Sequence, residues 1–296
     1  MIERKVIIWG IPLHSHTHSY IHNGFFRACK KLGYNVEWVN GDEKIDVSQS
    51  IVISEKNFIK NLSIIDSSVY FIHNLTDDFE KPERDNVHNF FVYHTGYSKS
   101  MEQLEKIDKY SWYDSETKTP VIMWATDLLP EEFKEPVVHN ANSLSNNFVG
   151  TIQGNNLISF AQISANMGKD FINYGGYTGF PDGNGNDFFS VEDNIRAIQE
   201  SYLSFDIRED FHLKNGYIPC RVFKNISYGK WTGTNAVNAK TFFGDHLTAQ
   251  QNLKSLYEQL EEDSRNVSYD KIKDAMNYVK ENHTYINRVK SLFSIL

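Results

Sequence analysis

The chain's first apolar run, "KVIIWGIP", is rich in β-branched residues and is stopped by Gly10 and Pro12. A run apolar at every position, rather than at every second one, predicts a strand buried on both faces. The period then changes. Ile21, Phe25, Ala28, Cys29 and Leu32 recur at helical spacing, which predicts a helix over about Ser19 to Leu32 closed by Gly33. "YNVEWVN" predicts the next strand, so the opening reads as a βαβ unit. "SIVIS", "SSVYFIHN", "HNFFVYH" and "TPVIMWAT" continue the series as short buried strands separated by polar or helical segments.

The pattern pauses at residues 134 to 147, "KEPVVHNANSLSNN", an Asn- and Ser-rich stretch carrying Pro136, which predicts a linker. A second βα series follows. "FVGTIQ" and "KDFINYGG" predict strands around a helix, "NNLISFAQISANMG", closed by Gly168. "VEDNIRAIQESYLSFDIR" predicts a helix and then a strand, and "YIPCRVFKNISYG" a helix ended by Gly229. "QQNLKSLYEQLEED" and "YDKIKDAMNYVKENHTYINRVKSLFSIL" predict closing helices. The expected fold class is α/β, with two doubly wound domains: residues 1–140, residues 141–275, and a terminal helix over 276–296. The length of 296 residues suits two domains of roughly 150 each. In such folds ligands sit beyond the carboxyl ends of the strands.

Composition narrows the function. Hydrophobic residues make up 40% and charged residues 23%, ordinary values for a globular chain. A net charge of −8 disfavours non-specific nucleic-acid binding, which needs a basic stripe. Cys29 and Cys220 stand far apart, outside any CxxC unit, so neither a disulfide framework nor a cysteine zinc site is expected. No run approaches ~18 apolar residues and the first is too short for a signal sequence, so the expectation is a soluble, cytoplasmic protein.

The densest chemistry lies in "IPLHSHTHSYIHNGFF", with His14, His16, His18 and His22. Imidazole titrates near neutrality and is the commonest metal ligand. The loop reads as a catalytic base, as a polar or helix-capping segment, or, last, as a metal site. His18 and His22 are four apart, as metal ligands on one helix are, but no Glu follows His18 as in His-Glu-x-x-His. Asp127, in "MWATDLLPEE", ends a strand and is either a cleft carboxylate or the cap of a short helix with Glu131 and Glu132 in its first turns. Gly150 and Gly154 stand in the first strand-to-helix turn of the second series, where backbone can approach a phosphate or sugar. Glu192 and Glu200, a Glu-x7-Glu pair, read as a helix surface.

Three stretches carry a resemblance to a known family: "ENHTYINRVKSLFSIL", "IPCRVFKNISYGKWTGTN" and the opening histidine loop. Together they resemble GT-B glycosyltransferases, most like the spore-maturation-type (group 1) branch. The resemblance implies two Rossmann-like domains facing a central cleft, with the C-terminal helix packing back on the N-terminal domain. It also implies a nucleotide-diphosphate sugar as donor, a glycan or other hydroxyl as acceptor, no metal and no other cofactor. On that basis Arg221, Lys224, Gly229, Thr234 and Asn235, with Gly150 and Gly154, hold the donor, since a diphosphate calls for guanidinium forks and free backbone N–H groups. His18, oriented by Asp127 or another carboxylate, takes the acceptor proton, and His14 and His16 touch the acceptor. Lys224 stands where many retaining members carry a glutamate. The alternatives are a nucleotide-sugar epimerase on the same frame and a non-catalytic sugar- or nucleotide-binding protein.

Overall fold

The computed structural model describes residues 4–10, 13, 17–40, 43–55, 64–74, 84–92, 99–152, 154–175 and 190–296. His14 and His16, and the segment 176–189 with its "GYTGFPDGNGND", lie outside them. The chain divides into two compact units: residues 1–129 with 282–296, and residues 130–281. Each is a mixed α/β unit with parallel strands.

In the first unit the strands are β1 (Lys5–Gly10), β2 (Val36–Asn40), β3 (Ser50–Glu55), β4 (Val69–Asn74), β5 (Val87–Val92), β6 (Glu105–Asp108), β7 (Ser111–Asp114) and β8 (Thr119–Ile122). They form one sheet in the order β2-β1-β3-β4-β5-β8-β7-β6. The first six in that order run parallel, and β7 and β6 turn back as an antiparallel edge. This edge is absent from the sequence expectation because "EKID" is polar and mostly exposed and "SWYD", though largely buried, mixes polar with aromatic residues, so neither forms an apolar run. Helix α1 (Thr17–Lys31) starts two residues earlier than expected, which puts His18 in its first turn. The chain goes from β1 through α1 to β2 on one side and returns to β3 on the other. The switch point therefore lies between β1 and β3, the place where a ligand crevice opens in such sheets.

The second unit holds β9 (Ser145–Val149), α2 (Gly154–Asn166), β10 (Asp170–Tyr174), α3 (Val191–Glu200), β11 (Ser204–Asp206), α4 (Asp210–Lys214), α5 (Cys220–Ser227), β12 (Thr232–Thr234), α6 (Lys240–Phe243), β13 (Thr248–Ala249), α7 (Leu253–Asn266) and α8 (Tyr269–Asn282). β10 pairs with β9, and β11, β12 and β13 pair in that order, all parallel. The Tyr202 N–H donates to Ser145 O at 2.7 Å and Asn146 Oδ1 accepts from the Leu203 N–H at 2.9 Å, which sets β11 beside β9. Phe148, Phe160, Phe205, Leu256, Tyr257 and Leu260 form the core between these strands and helices. The predicted linker belongs here: its last residues are the start of β9, and Val137 N–H donates to Gly229 O at 2.8 Å.

The expected single terminal helix is two. After α8 the chain breaks at His283 and Thr284, and α9 (Tyr285–Phe293) restarts as part of the first unit. Asn287 Oδ1 accepts from the Thr284 N–H at 2.9 Å, giving the new helix its cap. Arg288, 1% exposed, explains the "HTYINR" stretch. Its guanidinium donates to Met123 O at 2.7 Å, Trp124 O at 2.8 Å, Asn282 O at 3.1 Å and His283 Nδ1 at 2.8 Å. It thereby satisfies carbonyls that leave β8 with no further strand to pair with. Burial, and then the Arg288 and Lys109 charges, push His283 well below its usual range, which suits its Nδ1 to accept from Arg288. Tyr285 packs its ring on Gly24 of α1, where any side chain would collide with it.

Candidate functional site

Each unit places a cluster of charged or imidazole side chains at the carboxyl ends of its parallel strands. In the first unit the sheet register builds the cluster. Glu55 of β3 is the register partner of His73 on β4, so both side chains stand on one face at adjacent strands. His18 and His22, one turn apart on α1, extend the buried stripe of Phe25 and Cys29 toward the helix N-terminus. Glu55 accepts from His18 Nδ1. The ring centroids of His18 and His73 are 4.9 Å apart, and His22 Nε2 lies 3.1 Å from His73 Nε2. His22 fits because β1 ends in glycine: a Cβ at Gly10 would strike the imidazole. Glu55 is 3% exposed and His73 1%, while His18 keeps some access to solvent. One ligand atom each from His18, Glu55 and His73 falls within 4.8 Å of the others.

Asp127 does not supply the carboxylate that holds His18 Nδ1; Glu55 does. The Asp127 carbonyl accepts from Arg27 Nη1 at 2.8 Å, tying the segment after β8 to α1.

In the second unit the charges are guanidinium and carboxylate. Asp206, the last residue of β11, is fully buried. Arg208 Nε donates to one of its oxygens at 2.9 Å, and Arg208 Nη2 and Arg221 Nη1, the latter at 2.8 Å, meet the other. Burial alone would raise the Asp206 carboxyl, but the two arginines hold it below the usual carboxylate range. Two guanidiniums share one carboxylate, so the triad carries a surplus positive charge. Burial, and then the Arg208 charge, push Arg221 below its usual value, which marks it as the less fully compensated arginine. Arg221 also donates to Val149 O at 3.1 Å and lies over the Phe148 ring at 4.2 Å. Its remaining Nη2 rests on Gly150, where any Cβ would collide with it and where φ is +140°.

The other expected donor residues divide. Lys224 sits one turn along α5 from Arg221, half-buried, with its ammonium 6.0 Å from the Tyr228 ring. Thr234 Oγ1 accepts from the Ala236 N–H at 3.1 Å. Asn235 accepts from the Arg208 N–H at 2.7 Å and donates to Arg208 O at 2.8 Å, so these two residues build the turn that presents Arg208. Gly229 is not brought to this edge. It closes the far end of α5, about 12 Å away at the usual helical rise, and packs on the backbone of Glu135 and Pro136. A continuous N–H cradle from Gly229 to Asn235 does not form, because "TGT" within it is strand β12. The α2 N-terminus beside Gly154 is capped from within: the N–H groups of Asn155 and Asn156 donate to Glu209 at 3.1 and 2.9 Å. Glu192 and Glu200 are both exposed on α3.

Four residues of these clusters escaped the sequence reading: Glu55, His73, Asp206 and Arg208. Three of them share a signal, a charged or imidazole side chain at or next to the end of an otherwise apolar strand, in "SIVISE", "VYFIHN" and "SFD". Compared with known proteins, the chain matches no family model and no curated sequence. No helix among the described residues is long and apolar enough to cross a membrane.

Proposed function

We propose that the protein is a glycosyltransferase that moves a sugar from a nucleotide-diphosphate donor to a hydroxyl acceptor. The observation that carries this is the Arg208–Asp206–Arg221 triad over Gly150, a surplus cation at the carboxyl edge of a parallel sheet. A diphosphate is a fitting partner, because guanidiniums offer it charge-assisted forks and the leaving group gains negative charge as the glycosidic bond breaks. Lys224, on the same side of α5, adds a second cation within reach of a long anion. In this reading the second unit holds the donor and the first holds the acceptor. His18, oriented by Glu55, takes the proton from the attacking hydroxyl. The resemblance of the three sequence stretches to GT-B glycosyltransferases supports the same assignment.

Calorimetric titration with UDP, GDP, ADP and CMP in the presence of EDTA tests it. One nucleoside diphosphate should bind, and Arg221→Ala should weaken it by roughly tenfold or more. A wild-type protein that binds none of them, or an Arg221→Ala protein that binds equally well, would overturn the donor site. His18→Ala should leave nucleotide binding intact while abolishing transfer to the acceptor.

A further inference from the structure

We propose that His18, Glu55 and His73, backed by His22, form a binding site for a divalent transition-metal ion of the zinc type. Two imidazoles and one carboxylate are a ligand set that such ions prefer over harder ones. Their ligand atoms lie within 4.8 Å of one another. Ligands about 2.1 Å from a common ion stand roughly 3–4 Å apart, so modest side-chain rotation brings all three onto one ion. The backbone already fixes their approach. Glu55 and His73 are register partners on adjacent strands, and His18 enters from the first turn of α1. His22, with Nε2 3.1 Å from His73 Nε2, stands where a partner that sets the tautomer of a ligating imidazole belongs. Burial separates this cluster from an ordinary surface pair. The Glu55 side chain is 4% exposed, and a buried carboxylate needs a cationic partner. His18, at 18%, leaves the cluster open on one side, as an ion with an exchangeable position requires. The site does not depend on the transferase reading. The two bear on each other at one atom, because an ion bound to His18 competes with the proton that a base must accept. Metal loading should therefore inhibit transfer, not support it.

The test uses the full chain, stripped with chelator and then titrated with Co2+, whose visible absorption intensifies in a low-coordinate protein site, followed by displacement with Zn2+. One Co2+ per chain should bind and be displaced by Zn2+. Glu55→Gln and His73→Gln should each weaken binding by about tenfold or more. His18→Gln, at a partly exposed position in the first helical turn, provides a variant that keeps the fold and should show the same loss. Replacing His14 and His16 together with alanine should leave the affinity unchanged. The proposal is overturned if the wild type binds no ion, if the three variants bind as the wild type does, or if only the His14/His16 change removes binding. Because the readout is the ion itself, it stands or falls separately from nucleotide calorimetry on Arg221.

Discussion

The two sheet ends solve one packing problem with opposite chemistry. Each stops an apolar strand on a buried carboxylate, Glu55 in the first unit and Asp206 in the second, and each uses a glycine to make room for the side chain that lies beside it. Gly10 admits His22, and Gly150 admits Arg221. The partners differ. Glu55 meets the His18 imidazole with that of His73 close by, and imidazoles can be neutral or charged and can hand over a proton or share an ion. Asp206 is held by two guanidiniums, which are permanently charged and can only attract. The difference teaches that the first site is suited to moving a proton and the second to holding an anion.

That contrast can be broken most strongly at Asp206. Asp206→Asn leaves two buried guanidiniums without their carboxylate and should cost about 3–5 kcal/mol, read as a fall in the urea midpoint. Glu55→Gln, by contrast, leaves imidazoles that can sit neutral, and should cost about 1–3 kcal/mol. Equal losses would show that the two carboxylates do the same work. Gly150→Ala combines a collision with Arg221 and a φ of +140°, and should destabilise by about 1–3 kcal/mol while weakening any nucleotide binding. Gly10→Ala meets the His22 ring without a left-handed φ and should fall at the lower end of about 1–3 kcal/mol with nucleotide binding unchanged; thermal melts and calorimetry read both.

The last comparison probes a cation that neither site uses. Lys230, 4% exposed, donates to Ser201 O at 2.9 Å, and burial pushes its ammonium down from the ordinary 10.5 to about 8. Below about pH 8 the folded and unfolded chains both hold this proton. Between about 8 and 10.5 the unfolded chain holds more of it, so this group's contribution makes the fold more stable as pH rises. Cys29 and Tyr257, each pushed up to about 12 by burial, act in the opposite sense in alkali. The comparison is therefore between wild type and Lys230→Met, relative to which the wild type should gain stability from pH 8 to 10. A constant gap across that range would show that Lys230 keeps its ordinary proton affinity.

Much of each unit could be read locally. Continuous β-branched runs announced β1, β3 and β4, and the 3.6-residue recurrence from Ile21 to Leu32 announced α1. His18, Arg221 and Gly150 stood out because their neighbourhoods in sequence are distinctive. Glu55 and His73 did not, because they meet through the register of two strands 18 residues apart, which no local pattern encodes. Arg208 and Asp206 form the polar end of a strand, and the Arg221 that completes the triad arrives from a different element, 15 residues beyond Asp206. Gly229 misled for the converse reason: close to Asn235 in sequence, it lies at the other end of a strand.

The discontinuity of the first unit has a consequence for how the molecule is made. Residues 130–281 form the second unit as one unbroken stretch, whereas the first needs 282–296 to complete it. A ribosome delivers segments in order, and domains fold as their chain emerges. The second unit can thus be finished while Met123 O and Trp124 O still await the Arg288 guanidinium. The nascent first unit spends that interval with the carbonyls beyond β8 lacking the Arg288 guanidinium and the Gly24 surface of α1 lacking the Tyr285 ring.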